Sequence, residues 1–192
     1  MATTNRLEDL TVAILVEDGF EQIEMTKPRE ALDKAGAKTV LISPGKSKVQ
    51  GFNHADKADA FPVDKQLEQT RPEEYGALLL PGGVRNPDKL RTNRQAVEFV
   101  KSFADAGKPI AVICHGPWTL VEADVVRGRR LTSWPSLQTD IRNAGGTWVD
   151  EGNVTDQNIT SSRKPDDIPA FNEAMLKLFE QSRTRGAQRV HV

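Results

Sequence analysis

The sequence predicts an α/β fold in which a mostly parallel sheet is covered on both faces by helices. Three observations carry that expectation. Short uncharged runs such as Leu10–Val16, Ala77–Leu80 and Ile110–Ile113 read as strands buried on both faces. Helical segments separate them, as a parallel sheet with right-handed crossovers requires. Glycine and proline close each unit, at Gly36, Pro44-Gly45, Pro81-Gly82-Gly83 and Gly107.

Taken in order, Leu10–Val16 is the first strand and a helix runs from about Glu21 to Ala35, with Pro28 either starting its main body or kinking it. Lys38–Ile42 is the second strand. Residues 46–75 are polar and irregular, with short β candidates at Val49–Phe52 and Ala60–Val63, and read as a small excursion or hairpin at the sheet margin. Ala77–Leu80 follows. An amphipathic helix spans Asn93–Ala106, with Ala96, Val97, Val100 and Phe103 on one face. After Ile110–Ile113 a helix begins near Trp118. Leu131–Trp134 is a candidate strand, Leu137–Asn143 a short helix, and Thr147–Val149 and Asn158–Ser161 late edge strands. Asp166-Asp167 opens a last helix, buried through Ile168, Phe171, Met175, Leu178 and Phe179. We expect one domain over residues 1–192, with mobile tails at 1–9 and 183–192.

Composition narrows the function. The 192 residues carry 26 Lys and Arg against 27 Asp and Glu, a formal net charge of −1, which gives no electrostatic case for nucleic acid or a membrane surface. One cysteine forms no internal disulfide, and with three histidines it makes a structural zinc site an unattractive reading; no metal or cofactor is expected. No apolar run approaches membrane-spanning length, so a reducing cytoplasm is the expected location.

That cysteine, Cys114, stands where a buried strand gives way to a helix, in Ile113-Cys114-His115-Gly116-Pro117. A side chain on such a turn lies at the sheet's carboxyl end, beside backbone N–H groups without helical partners. Those groups and the helix dipole favour an anion, so the thiol is expected to ionise more easily than in a free peptide. Ligands of a parallel sheet bind outside the strands' carboxyl ends, where residues 17–24, 81–88 and 114–117 converge. Gly82 and Gly83 let backbone approach a substrate, and the N–H groups of Gly83 and His115 are candidates for an oxyanion hole. Glu17-Asp-Gly-Phe-Glu21-Gln-Ile-Glu24, at the end of the first strand, is an acidic cluster that is costly beside a thiolate unless a proton lies between carboxyl and sulfur. Trp118 and Trp134 read as packing residues that wall the pocket. His54 and His191 lie in polar segments and are assigned nothing.

Glu21-x-x-Glu24, Leu80-Pro-Gly-Gly83, Ala111-Val-Ile-Cys-His-Gly-Pro117, Thr132-Ser-Trp-Pro135 and Thr160-Ser-Ser-Arg163 together resemble the PfpI/ThiJ family. This is the superfamily of intracellular cysteine protease I and the parkinsonism-associated deglycase. The resemblance implies a flavodoxin-like three-layer sandwich with class I glutamine amidotransferase-like topology, in a homodimer or larger assembly. It also implies Cys114 as nucleophile, Glu24 as the carboxyl partner of its sulfur, and His115 as candidate base. In protease-like members an acidic residue of a neighbouring subunit orients the histidine. The matching position here is Asp88, where those members carry glutamate. Read without the family, Asn86 is an N-cap, Pro87 takes N1 and Asp88 sits in the first turn.

Two functions follow. One is a cytoplasmic stress-response thiol hydrolase, peptidase or deglycase-like, attacking a carbonyl carbon of a peptide, a glycated protein or a small aldehyde. The other is a redox sensor or protective protein whose Cys114 is oxidised to sulfenic or sulfinic acid. A glutaminase of the amidotransferase kind stands lower, because no His-x-Glu arrives late in the chain.

Overall fold

A computed structural model describes residues 6–189. Strand β1 (Thr11–Leu15), the two-residue β2 (Phe20–Glu21), helix α1 (Gln22–Lys34) and β3 (Lys38–Ser43) open the chain. The hairpin β4 (Lys48–Asn53) and β5 (Asp56–Pro62) follows, then β6 (Lys65–Gln66). The middle is β7 (Ala77–Leu80), α2 (Arg85–Leu90), α3 (Arg94–Asp105), β8 (Ile110–Ile113) and α4 (Pro117–Glu122). The last third holds β9 (Arg130–Leu131), α5 (Gln138–Asn143), β10 (Thr147–Trp148), β11 (Asn153–Asp156), β12 (Ile159–Ser162) and α6 (Ile168–Arg189).

The seven strands of the main sheet lie in the order β11-β12-β8-β7-β1-β3-β6. Every pairing is parallel except that of β11 with β12. Side chains alternate across a strand, and the alternation divides the core in two. Val12, Ile14, Leu79 and Ile113 face α1 and α6, packing with Met25, Leu32, Phe171 and Phe179. Ala13, Leu15, Leu78 and Val112 face α3 and α4, packing with Phe99, Val100, Phe103 and Leu120. The result is the expected α/β three-layer sandwich.

Three expectations change. Thr147–Trp148 pairs with β9 in a separate two-stranded ribbon rather than edging the main sheet. The strand Ile159–Ser162 is not an edge either: it lies between β8 and β11, and β11 is the edge. Its hydroxyls are partnered inside the fold: Thr160 Oγ1 accepts from Asn153 and Thr155, and Ser161 Oγ accepts the Thr132 N–H. The 46–75 excursion is a true hairpin, and it joins β2 in a second, three-stranded sheet. Of the termini expected to be mobile, residues 1–5 and 190–192 lie outside the described residues. Leu7 is fully buried and α6 continues to Arg189.

Candidate functional site

Strand β8 ends at Ile113, and Cys114 takes a left-handed backbone with φ of 62°. A non-glycine residue holds that conformation at a cost of about 1–3 kcal/mol, so its surroundings must enforce it. They do so through both backbone groups: Cys114 N–H donates to Ser162 O at 3.0 Å, and Cys114 O accepts from Trp134 N–H at 2.9 Å. Pro117 then starts α4. This is the expected sharp turn from strand to helix.

Cys114 lies at the base of an open cleft of about 350 Å³ and is 6% exposed. The His115 ring turns back over it, placing Nδ1 3.1 Å from Sγ. The far nitrogen, Nε2, stands 3.5 Å from Ser136 Oγ. Two indoles fix the ring's plane, Trp134 stacked at 5.7 Å and Trp118 tilted at 5.2 Å. Asp140 accepts the Trp118 Nε1–H at 2.8 Å. His115, Trp134, Gly83 and Glu24 therefore all meet Cys114 around one cleft. Asp88 does not join them within one chain. Its side chain is 55% exposed and pairs with Arg91 of its own helix at 3.0 Å.

Glu24 occupies the first turn of α1 and is fully buried. Its Oε2 accepts the Gly82 N–H at 3.0 Å, and its Oε1 has no hydrogen-bond partner among the described residues. Burial raises its pKa to about 8, with the Glu21 charge adding to the rise and the Cys114 thiol and the Gly82 and Gly83 amides opposing it. At neutral pH Glu24 is accordingly a protonated carboxyl. Gly82 is the contact that permits this approach: a Cβ there would come within 2.6 Å of both Cys114 Cβ and Glu24 Oε2.

The sulfur differs from expectation. Burial pushes the Cys114 thiol up, and the Glu24 charge would push it further, while the N–H groups of Gly83 and His115 pull it down. Counting amide donors predicted an easily ionised thiol; desolvation outweighs them in the resting site. Burial also lowers His115 to about 4, so its imidazole is neutral, and the tautomer protonated at Nε2 leaves Nδ1 as the acceptor facing the thiol.

Asn86 is also corrected. It is not the cap of α2 but lies inside the helix, fully buried. Its Nδ2 donates to Pro81 O and Gly82 O at 2.9 and 3.0 Å, and its Oδ1 accepts the Glu17 N–H at 2.7 Å. One side chain thus ties the loop after β7 to the loop after β1. Asn86→Ala removes three hydrogen bonds, stranding the Glu17 N–H and Pro81 O while Gly82 O keeps the Glu21 N–H at 3.4 Å, and is expected to cost about 3 kcal/mol in urea unfolding. A loss under about 0.5 kcal/mol would mean that the two loops are held by other contacts.

The hairpin supplies cleft residues that the sequence did not single out. Phe52, His54 and Ala55 line it, as do Arg85 and Pro165. Glu21 Oε2 accepts the His54 N–H at 3.0 Å, binding the hairpin turn to the start of α1. Phe52, a large apolar residue in an otherwise polar stretch, was the available signal.

The same arrangement has relatives. The chain is 41% identical over 169 residues to protein/nucleic acid deglycase 2 of Escherichia coli, covering 88% of this chain and 96% of that one. It is 40% identical over 171 residues to a deglycase of Pyrococcus abyssi, covering 89% and 100%. Among solved structures, a two-domain protein from Anabaena variabilis with DJ-1/ThiJ/PfpI-like and ferritin-like domains superposes with a TM-score of 0.82 at 33% identity. That superposition covers 88% of this chain and 48% of the Anabaena chain, so this chain spans about half of that protein's length. The model of the DJ-1/PfpI family matches residues 10–178, from β1 into α6. The chain belongs to the DJ-1/PfpI family.

Proposed function

We propose that the protein is a thiol-dependent deglycase-type hydrolase whose nucleophile is Cys114. The observation that carries this reading is the convergence on one sulfur of the neutral His115 Nδ1 at 3.1 Å and the Gly83 and His115 amides, at the floor of an open cleft. The deglycase names of relatives about 40% identical support the substrate class, small glycated or carbonyl compounds.

In this reading His115 Nδ1 takes the thiol proton as Sγ attacks the carbonyl carbon. The charge that develops on the carbonyl oxygen is met by the Gly83 and His115 amides. The protonated Glu24 carboxyl adds no negative charge beside the reacting sulfur. Sγ takes the place of the substrate's own thiol on the aldehyde-level carbon, that thiol leaving with the proton His115 took. The hydrogen on this carbon passes to the neighbouring ketone carbon, so the first is oxidised to a thioester as the second is reduced to an alcohol. Water then hydrolyses the thioester, releasing the hydroxy acid and restoring the Cys114 thiol. Asp88 takes part only across a subunit boundary, in a homodimer or larger assembly where it faces the partner's His115; its half-exposed side chain supports that placement.

The test is lactate formation from the hemithioacetal of methylglyoxal with N-acetylcysteine, in which water is consumed and the free thiol released. Spontaneous reversal returns methylglyoxal rather than lactate, so lactate reports enzymatic turnover alone. We expect lactate in proportion to enzyme. Its absence, with the thiol intact by mass spectrometry, overturns the reading.

A second reading, protective oxidation of Cys114, is favoured by one feature. Glu24, protonated and with Oε1 unpartnered among the described residues, lines the cleft with Cys114 and supplies a donor for an oxygen added to sulfur.

A further inference from the structure

Arg85 opens α2 and lines the cleft that holds Cys114. Two apolar supports hold its side chain there. The guanidinium carbon lies 5.1 Å from the centroid of the Phe52 ring, over its face. The aliphatic stem crosses the turn after β1 at Gly19, where a Cβ would come within 2.5 Å of Arg85 Cβ. That glycine has φ of 92°, a conformation other residues rarely adopt, and its N–H is bound to Gln50 O at 2.9 Å. The next residue, Asn86, is the buried tie between the two loops. Arg85 is therefore held by the hairpin, by the glycine turn and by its neighbour's hydrogen bonds.

Its charge is unmatched. Arg29, Arg91, Arg130 and Arg163 each meet a carboxylate. Among the described residues the Arg85 side chain makes neither an ion pair nor a hydrogen bond, and its contact is the Phe52 face. Two carboxyl groups share the cleft and could oppose an incoming anion. Glu24 is protonated, whereas Glu21 keeps its charge, its Oε2 accepting the His54 N–H at 3.0 Å, so an anion entering the cleft needs a cation to offset it. That cation is the exposed Arg85 guanidinium at the cleft wall, a fork with its N–H donors free and a geometry matched to a carboxylate.

We propose that Arg85 is a specificity-determining residue that selects substrates carrying a carboxylate near the carbon attacked by Cys114. This inference rests on the reading of Cys114 as nucleophile and adds the substrate's charge to it. The carboxylate lies against the Arg85 fork at the cleft wall, and the electrophilic carbon reaches the sulfur below. A carboxamide in the same place offers a weaker, uncharged acceptor.

The experiment compares two hemithioacetals of methylglyoxal, made with N-acetylcysteine and with its amide, so that only the carboxylate differs. Arg85→Gln is expected to lower kcat/KM for the acid at least tenfold more than for the amide, and Arg85→Lys to recover part of the preference as a point charge. A second readout needs no turnover: alkylation of Cys114 by iodoacetate against iodoacetamide, in which an S–C bond forms as iodide leaves. The iodoacetate-to-iodoacetamide rate ratio should fall about tenfold in Arg85→Gln. If neither hemithioacetal is turned over but this ratio falls, the deglycase reading fails and Arg85 keeps its role. If turnover is present and neither ratio moves, or both substrates lose equally, Arg85 has no part in selection. If neither reagent alkylates Cys114, the sulfur is closed to ligands and the Arg85 proposal falls with it.

Discussion

Replacing Cys114 with serine is expected to lower lactate formation at least about a thousandfold, on the order of 4 kcal/mol of transition-state stabilisation, while leaving the fold in place. The size follows from what the site offers a nucleophile. A thiol gives up its proton more readily than a hydroxyl, even where burial pushes the thiol up, and His115 Nδ1 stands 3.1 Å away to receive it as the sulfur attacks. A serine hydroxyl must surrender a far more tightly held proton, and with its pKa lowered to about 4 His115 is a weak base for that task. Stability should barely change. Serine is close in size, and the two backbone hydrogen bonds that hold residue 114 in its left-handed conformation do not involve the side chain. We expect the melting temperature within about 4 °C of wild type. Mild peroxide separates the two proposed functions in the same pair of proteins. Oxygen added to wild type and absent from Cys114→Ser by intact mass places oxidation on the sulfur. Undiminished lactate from the serine variant would remove Cys114 from the reaction.

Much of this geometry was legible in the chain. The uncharged run Ile110–Ile113 followed by Cys-His-Gly-Pro specified a buried strand ending at an elbow, because few other local structures place those residue types in that order. The alternation of apolar runs and amphipathic helices gave the parallel sheet for similarly local reasons. What local pattern did not carry was which groups outside an element arrive to partner its side chains. Asn86 reads as a helix cap next to Pro87, and only the approach of Glu17 and of the Pro81-Gly82 carbonyls makes it an internal tie. Thr160 and Ser161 read as an edge until Asn153, Thr155 and Thr132 arrive to satisfy their hydroxyls. The hairpin reads as an excursion because the strand it joins, β2, is only two residues long. The proton affinity of Cys114 failed for a related reason. Amide donors can be inferred from an elbow, whereas the depth of burial around it depends on every element that packs there.

The carboxyl partner of that sulfur yields the largest effect expected on stability. Glu24 begins from an ordinary value of 4.5 in an unfolded chain and reaches about 8 in the fold. Between those values the native state keeps a proton that the unfolded state has lost. The unfolded state thus binds fewer protons, and stability falls as pH rises. The contribution is fully present below about pH 4.5, is lost progressively up to about pH 8 and is flat beyond. Its slope is at most about 1.4 kcal/mol per pH unit. The wild-type curve alone does not isolate it. His115, depressed from 6.5 to about 4, gives stability that is present above its unfolded value and lost as pH falls, the opposite slope in an overlapping window. Glu24→Gln separates the two. Glutamine does not titrate, still accepts the Gly82 N–H, and keeps an N–H donor toward the sulfur. His115 titrates in both proteins and cancels in the difference. From pH 5 to pH 8 the unfolding free energy of wild type minus that of Glu24→Gln should fall by about 4 kcal/mol in urea titrations. Parallel curves would mean that Glu24 is already ionised at pH 5. The sulfur would then sit beside a full negative charge, and no nucleophile could be poised there without a proton from elsewhere.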